Sequence, residues 1–189
     1  MTAGPAGDTR ARLLRTALKL FTEHGVEGTS LQMIADALGV TKAAVYYHFK
    51  AKDEITEAVV EPALKELTRI ITEAARLRRR GAQVDYLLDG FVDLVVRHRA
   101  LVALFSSDPG ISRAIEKSFF DGGDEDTKEN LLGILAGPDA DLTAHITAVV
   151  TLTGIAMAGG APHFAGVDDE TLRAALLDVA RRLHRRPRR

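Results

Sequence analysis

A chain of 189 residues with 46% hydrophobic content fits one or two small domains with a real core, and a formal net charge of −1 excludes a uniformly basic nucleic-acid coat. It has no cysteine, which excludes disulfides and thiolate metal sites. No stretch reads as long and apolar enough to cross a bilayer, and the opening MTAGPAGD lacks the basic and apolar regions of a signal peptide. A soluble cytoplasmic protein is expected, with a frayed, disordered tail over residues 1–7.

The first helix is expected from Asp8 or Thr9 to His24, with Leu14, Ala17, Leu18 and Phe21 as its buried stripe and Gly25 ending it. Two short helices follow in SLQMIADALGVTKAAVYYHFKAK, residues 30–52. Leu31, Ile34, Ala35 and Leu38 fall at i, i+3, i+4 and i+7, behind Ser30 as a candidate N-cap. Gly39 suits a left-handed stop, and Thr41 can cap a second helix carrying Lys42 to His48. That order is a helix-turn-helix, whose second helix enters the DNA major groove.

A fourth helix is expected from Lys52 toward Arg79, with a kink or break at Pro62 that acts either as a hinge or as a local bend. Val84, Leu87, Leu88, Phe91, Leu94 and Val95 mark another amphipathic helix, and Ala100 to Phe105 a shorter one ended by Ser107-Asp108-Pro109-Gly110. Helix is expected again from Ile111 to Phe120, then a loop over Asp121–Asp126, then a helix ended by Gly137-Pro138-Asp139. Asp141–Ala158 and Asp168–Arg185 close the pattern, with Gly159-Gly160-Ala161-Pro162 between them. No period-two pattern signals a strand, so the fold class is all-α.

The last two helices are apolar on more than one face. Leu142, Ile146, Val149, Val150, Thr153 and Met157 make one stripe, and Ala148, Leu152 and Ile155 another. Leu172, Leu176, Val179 and Leu183 are joined by Ala175, Leu177 and Ala180. Such helices are buried on both sides, either inside one chain or in a four-helix seam with a second copy. Charged replacement of Leu152 or Val179 is expected to break that seam.

Residues from Thr9 to Val59 resemble the DNA-binding domain of the TetR family of bacterial transcriptional regulators. The likeness rests on Ala17 and Phe21, Gly25-Val26, Thr29-Ser30, Ile34-Ala35, Gly39-Val40, and Tyr46-Tyr47-His48-Phe49 followed by Lys50 and Lys52. Beyond Val59 it is only architectural. The resemblance implies an N-terminal three-helix helix-turn-helix domain over residues 8–52 and a linking helix over 53–80. It also implies a helical ligand-binding and dimerisation domain over 81–189, pairing through its last two helices. Ser30, Gln32, Thr41, Lys42, Ala43, Ala44, Tyr46, Tyr47, His48 and Lys52 match positions the family uses against DNA. On the residues themselves, Val45 and Phe49 should face inward, while Lys42 can reach guanine acceptors or a phosphate. One of the two tyrosines could instead pack against the first helix. Small Ala43 and Ala44 leave few groups for base edges and leave room for shape readout.

Phe91, Leu94, Phe105, Phe119 and Met157 are candidates for a small-molecule pocket, with His98 and Thr153 as polar anchors; ordinary core packing is the alternative. Leu104, Ile134, Ser106 and Asn130 are further candidates, and Ala103 is a place to fill the cavity. No histidines pair at i, i+4, and no phosphate loop or nucleophile elbow is present, so neither a metal, a cofactor nor an enzyme activity is expected. The basic end RRLHRRPRR reads as a solvated terminus rather than a nucleic-acid arm. The expected protein is a homodimeric repressor released from a palindromic operator by a small, mostly apolar effector, with no membrane partner. The rivals are a DNA-binding regulator controlled by a partner protein and a small helical enzyme with a fused DNA domain.

Overall fold

The computed structural model describes residues 5–121 and 125–184. Among them the secondary structure is helical, in ten α-helices, one π-helical turn and one 3-10 turn. The helices are α1 (Pro5–Gly28), α2 (Leu31–Leu38), α3 (Lys42–His48), α4 (Lys52–Ala75) and α5 (Arg80–Arg97). Then come α6 (Arg99–Ser107), α7 (Pro109–Ile115), α8 (Glu125–Ala136), α9 (Leu142–Gly159) and α10 (Asp169–His184). The π turn spans Glu116–Asp121 and the 3-10 turn Pro162–Phe164.

Helix α1 starts earlier than expected, at Pro5, and does not stop at Gly25. It kinks there, with Gly25 at φ 72°, and runs on to Gly28. Its deepest stripe is Leu13, Ala17 and Phe21; Leu14 and Leu18 flank it half-buried. Helix α4 runs through Pro62 without a break. Pro62 is exposed, so its ring stands on the outer side of the helix, clear of the core that α4 shares. The expected helix to Phe120 ends instead at Ile115, where the backbone widens into the π turn. The expected loop over Asp121–Asp126 falls largely outside the described residues, as do the start of the tail and the end of the basic terminus.

Two apolar clusters share α4. Leu13, Ala17 and Phe21 of α1 meet Ile34, Ala35, Val45 and Phe49 of the short helices, and the α4 face from Ile55 to Ala63. Leu101, Leu104, Ile111 and Ala114 from α6 and α7 complete this cluster. The second joins Ile70, Ile71 and Ala74 of α4 to α5, α8, α9 and α10. Helix α6 therefore follows α5 in the chain but buries Leu101 and Leu104 against the N-terminal helices.

Asp108 holds that arrangement. Its Oδ2 accepts from the Val26 amide at 2.7 Å, and its Oδ1 accepts from the Gly110 and Ile111 amides at 2.8 and 3.3 Å. The first bond closes the kink of α1, and the other two cap α7. A side chain on Gly110 would come within 2.8 Å of Val26, so only glycine allows this approach. Asp108→Ala should remove the cap and leave a buried amide unpaired, destabilising the chain by roughly 2–4 kcal/mol in urea unfolding. Asp108→Asn, which keeps one carbonyl oxygen, should lose less.

Candidate functional site

Two places on the molecule are candidates for recognition. The first is the surface of α2 and α3. Ser30 caps α2 by accepting from the Met33 amide at 3.1 Å, and Thr41 caps α3 by accepting from Ala44 at 3.2 Å. Between them Gly39 sits at φ 67°, with its amide on Asp36 O at 3.1 Å and the Val40 amide on Ala35 O at 3.0 Å. This pair of bonds is a Schellman stop, and it sets the angle at which α3 leaves α2.

Val45 and Phe49 are buried beneath α3, as their spacing predicts. Tyr46 is 40% and Tyr47 78% exposed, so neither tyrosine packs into the interior. Lys42 and Ala43 are exposed beside them, and Ala44 is half-buried. Lys42 Nζ lies 5.7 Å from the Tyr46 ring centre, a cation–π distance that holds the ammonium over the outer face. Tyr47 meets His48 edge to face at 5.2 Å between ring centres. Gln32 and Lys52 are already engaged. The Gln32 amide donates to Asp36 Oδ1 at 2.7 Å, and Lys52 Nζ donates to the Glu27 carbonyl and carboxylate, both at 3.3 Å. Lys50, exposed beside this cluster, belongs to the sequence motif but was not among the candidate DNA contacts; its ammonium donates to Tyr46 O at 2.8 Å.

The second place is a half-open cavity of about 510 Å³ bounded by α4, α5, α6, α8 and α9 together with the end of α7 and the π turn. Phe91, Leu94, Phe105, Phe119 and Thr153 line it, as the sequence suggested. The π turn carries Phe119 into its wall, in keeping with the frequent use of such turns at binding sites. His98 and Met157 do not line it. His98 Nε2 pairs with Glu66 Oε2 at 3.2 Å, and Met157 points outward at 47% exposure. Burial raises the Glu66 carboxyl, but hydrogen bonds from His98 and Arg97 outweigh it and hold the carboxyl below its usual range. Leu104 and Ile134 are spent in the two clusters. Ala103 is not in the wall; its neighbour Val102 is. Sequence reasoning missed Leu64 and Leu67 of α4 and Leu131 and Leu132 of α8. Among the described residues Thr153 is the one polar side chain in the lining.

A larger cleft, of about 660 Å³, lies between α1, α3, α4 and the π turn. Its carboxylates are already matched: Glu57 with Lys117 and Glu61 with Lys65, each at 2.5 Å, while Glu54 accepts from the Lys50 amide at 2.8 Å. The apolar cavity is thus the better fit to a small ligand.

Residues 13–59 match the family described as bacterial regulatory proteins, tetR family. Over these residues the chain belongs to the TetR family. Its relatives include the HTH-type transcriptional regulator AcrR of Shigella flexneri, 45% identical over 60 residues. That match covers 32% of this chain and 28% of AcrR. The HTH-type transcriptional regulator TtgR of Pseudomonas putida is 38% identical over 102 residues, covering 52% of this chain and 48% of TtgR. The chain thus spans between about a quarter and a half of the length of these curated relatives. Among solved structures, the TetR family regulator PfmR from Thermus thermophilus superposes with a TM-score of 0.66 at 25% identity, over 90% of this chain and 97% of that one. The ketosteroid regulator KstR2 of Mycobacterium tuberculosis shares the fold, with a TM-score of 0.68 at 18% identity over 91% and 92% of the two chains. In this TetR-family segment the caps and the Schellman turn set the helix-turn-helix. Thr41→Ala should cost about 1 kcal/mol of stability through the lost cap, read in thermal unfolding.

Proposed function

We propose that the chain is a DNA-binding transcriptional regulator that works as a homodimer in the cytoplasm. It would leave a palindromic operator when a small, mostly apolar molecule fills the cavity. The observation that carries the reading is the exposed surface of α3. Lys42, Tyr46 and Tyr47 stand clear of a rigidly capped helix whose other face is buried. On this reading residues 8–52 bind DNA, residues 53–80 link, and residues 81–189 hold the ligand and the dimer seam. Lys42, Ala44 and Gln32 read bases, and Gln32 must first give up Asp36. Ser30, Thr41, Ala43, Tyr46, Tyr47, His48 and Lys52 meet the backbone or approach it closely. Repression rather than activation agrees with the relative described as a probable acrEF/envCD operon repressor.

The dimer has its own support. Helix α9 is 18 residues long with mean hydropathy 1.5, so it is long and apolar enough to cross a membrane, contrary to the sequence expectation; only 28% of it is buried. Ile146, Val150 and Met157, and Val179 and Leu183 of α10, are exposed by about half. A second copy would cover this face and set the two recognition helices about 34–36 Å apart, one turn of DNA. Leu152 faces the protomer's own cavity and core, so it is the wrong residue for a test of the seam.

Selection of bound duplexes from a random pool should yield a palindrome, with affinity falling steeply as salt rises. Lys42→Ala should weaken the selected site by roughly 1–3 kcal/mol and random DNA by less. Equal losses on both would assign Lys42 to phosphate alone. Val150→Glu with Val179→Glu should give a folded monomer in sedimentation and lose palindrome binding. Ala156→Phe, which fills the cavity, should block ligand and spare DNA binding, whereas Ala103→Phe would miss the cavity.

A further inference from the structure

The cavity is not closed by its own chain. Most of its wall is buried or half-buried, but Phe105, Val149 and Thr153 are exposed and edge an opening beside α9. Val149 and Thr153 also belong to the outward apolar stripe of α9 with Leu142, Ile146, Val150 and Met157. Successive helical positions turn by about 100°, so residue 153 lies within the stripe and residue 149 at its edge, next to the cavity-facing Leu152 and Ala156. The mouth therefore opens on the flank of the face left uncovered.

From this contiguity we infer that the binding site is completed by a second copy of this chain, whose α9–α10 face covers the mouth. The inference rests on the dimer and the apolar effector proposed above. The occupant of the mouth is a second copy rather than another protein because the stripe spans α9 from Leu142 to Met157 and continues on α10 at Val179 and Leu183. Two helices presenting the same apolar stripe can pair about a two-fold axis, each covering the other. An α9 exposed along most of its length calls for a cover of that extent.

The lining also gives the ligand a polarity. Among the described residues the wall is apolar except for Thr153, and Thr153 stands at the mouth. The fitting ligand has an apolar body, seated against Phe91, Leu94 and Phe119, and one hydrogen-bonding group at the end that meets the partner. Such a molecule in a lone protomer leaves that end against water. In the dimer it is enclosed, so binding and pairing favour each other.

The test uses N-phenyl-1-naphthylamine, an apolar fluorescent probe with one N–H group, on the full chain. Binding lost in Ala156→Phe is cavity binding; what remains is probe on exposed apolar surface and is subtracted. The wild-type dimer should bind the probe at least about tenfold more tightly than the Val150→Glu, Val179→Glu monomer, neither of whose changes lines the cavity. In wild type, saturating probe should tighten the dimer by the square of that factor, about a hundredfold, because two sites close at once. That second arm needs no variant to fold. Equal cavity affinity in dimer and monomer, or a dimer constant indifferent to the probe, would overturn the closure while leaving the effector reading intact. A wild type monomeric at every concentration would overturn the closure and the dimer together. No cavity binding in wild type would overturn the closure and the apolar effector, leaving the dimer standing.

Discussion

The carboxylate of Asp108 joins two parts of the chain that are 82 residues apart, and the N-terminal half depends on that joint. Val26 sits one residue after the kink of α1, and the turn it begins leads directly to the cap of α2. With its amide held by Asp108, the loop from Gly25 to Ser30 has a fixed course. Thr29 adds to this by donating to Gly25 O at 2.8 Å. The same carboxylate starts α7, so α6, α7 and the helix-turn-helix meet at one buried group.

This joint gives α6 two masters. Leu101 and Leu104 pack among the N-terminal helices, while Leu101, Val102 and Phe105 wall the cavity. Helix α4 is shared in the same way, with Ala63, Leu64 and Leu67 in the cavity wall and Ile55 to Val60 under the helix-turn-helix. Anything that repacks the cavity side of α6 loads the Asp108–Val26 bond, and anything that shifts α4 loads the floor beneath α3. Close-packed cores pass such displacements on because they hold few voids to absorb them. Arg99 anchors the other end of α6. It donates to Phe164 O at 2.7 Å, to Val167 O at 2.9 Å and to Asp169 at 2.9 Å, tying the α9–α10 connection to the cavity wall.

What the sequence made legible was local. Ser30, Gly39 and Thr41 could be read because caps and left-handed stops involve neighbours three or four residues away. The two faces of α9 were separable for the same reason: period alone divides Ile146 and Val150 from Ala148 and Ile155. Where the reading slipped, a distant partner decided. His98 looked free for a ligand, but Glu66 on another helix takes it. Asp108 read as turn punctuation, because nothing near it in the chain names Val26. Leu64 and Leu67 were passed over since Pro62 obscured the pattern of α4, and adjacent Leu13 and Leu14 left the phase of α1 one residue ambiguous.

The order of the helices along the chain has a consequence for how the protein is made. A ribosome adds roughly 5–20 residues per second, so the helices before α5 emerge on the order of ten seconds before α9 does. By then α1 to α4 have their partners in reach, and only the cluster built on α9 and α10 waits. The most adhesive surface of the molecule is therefore synthesised after α1 to α4, when those helices already have partners to bury against. Nascent copies on one message would meet through that later surface only after their N-terminal helices have packed.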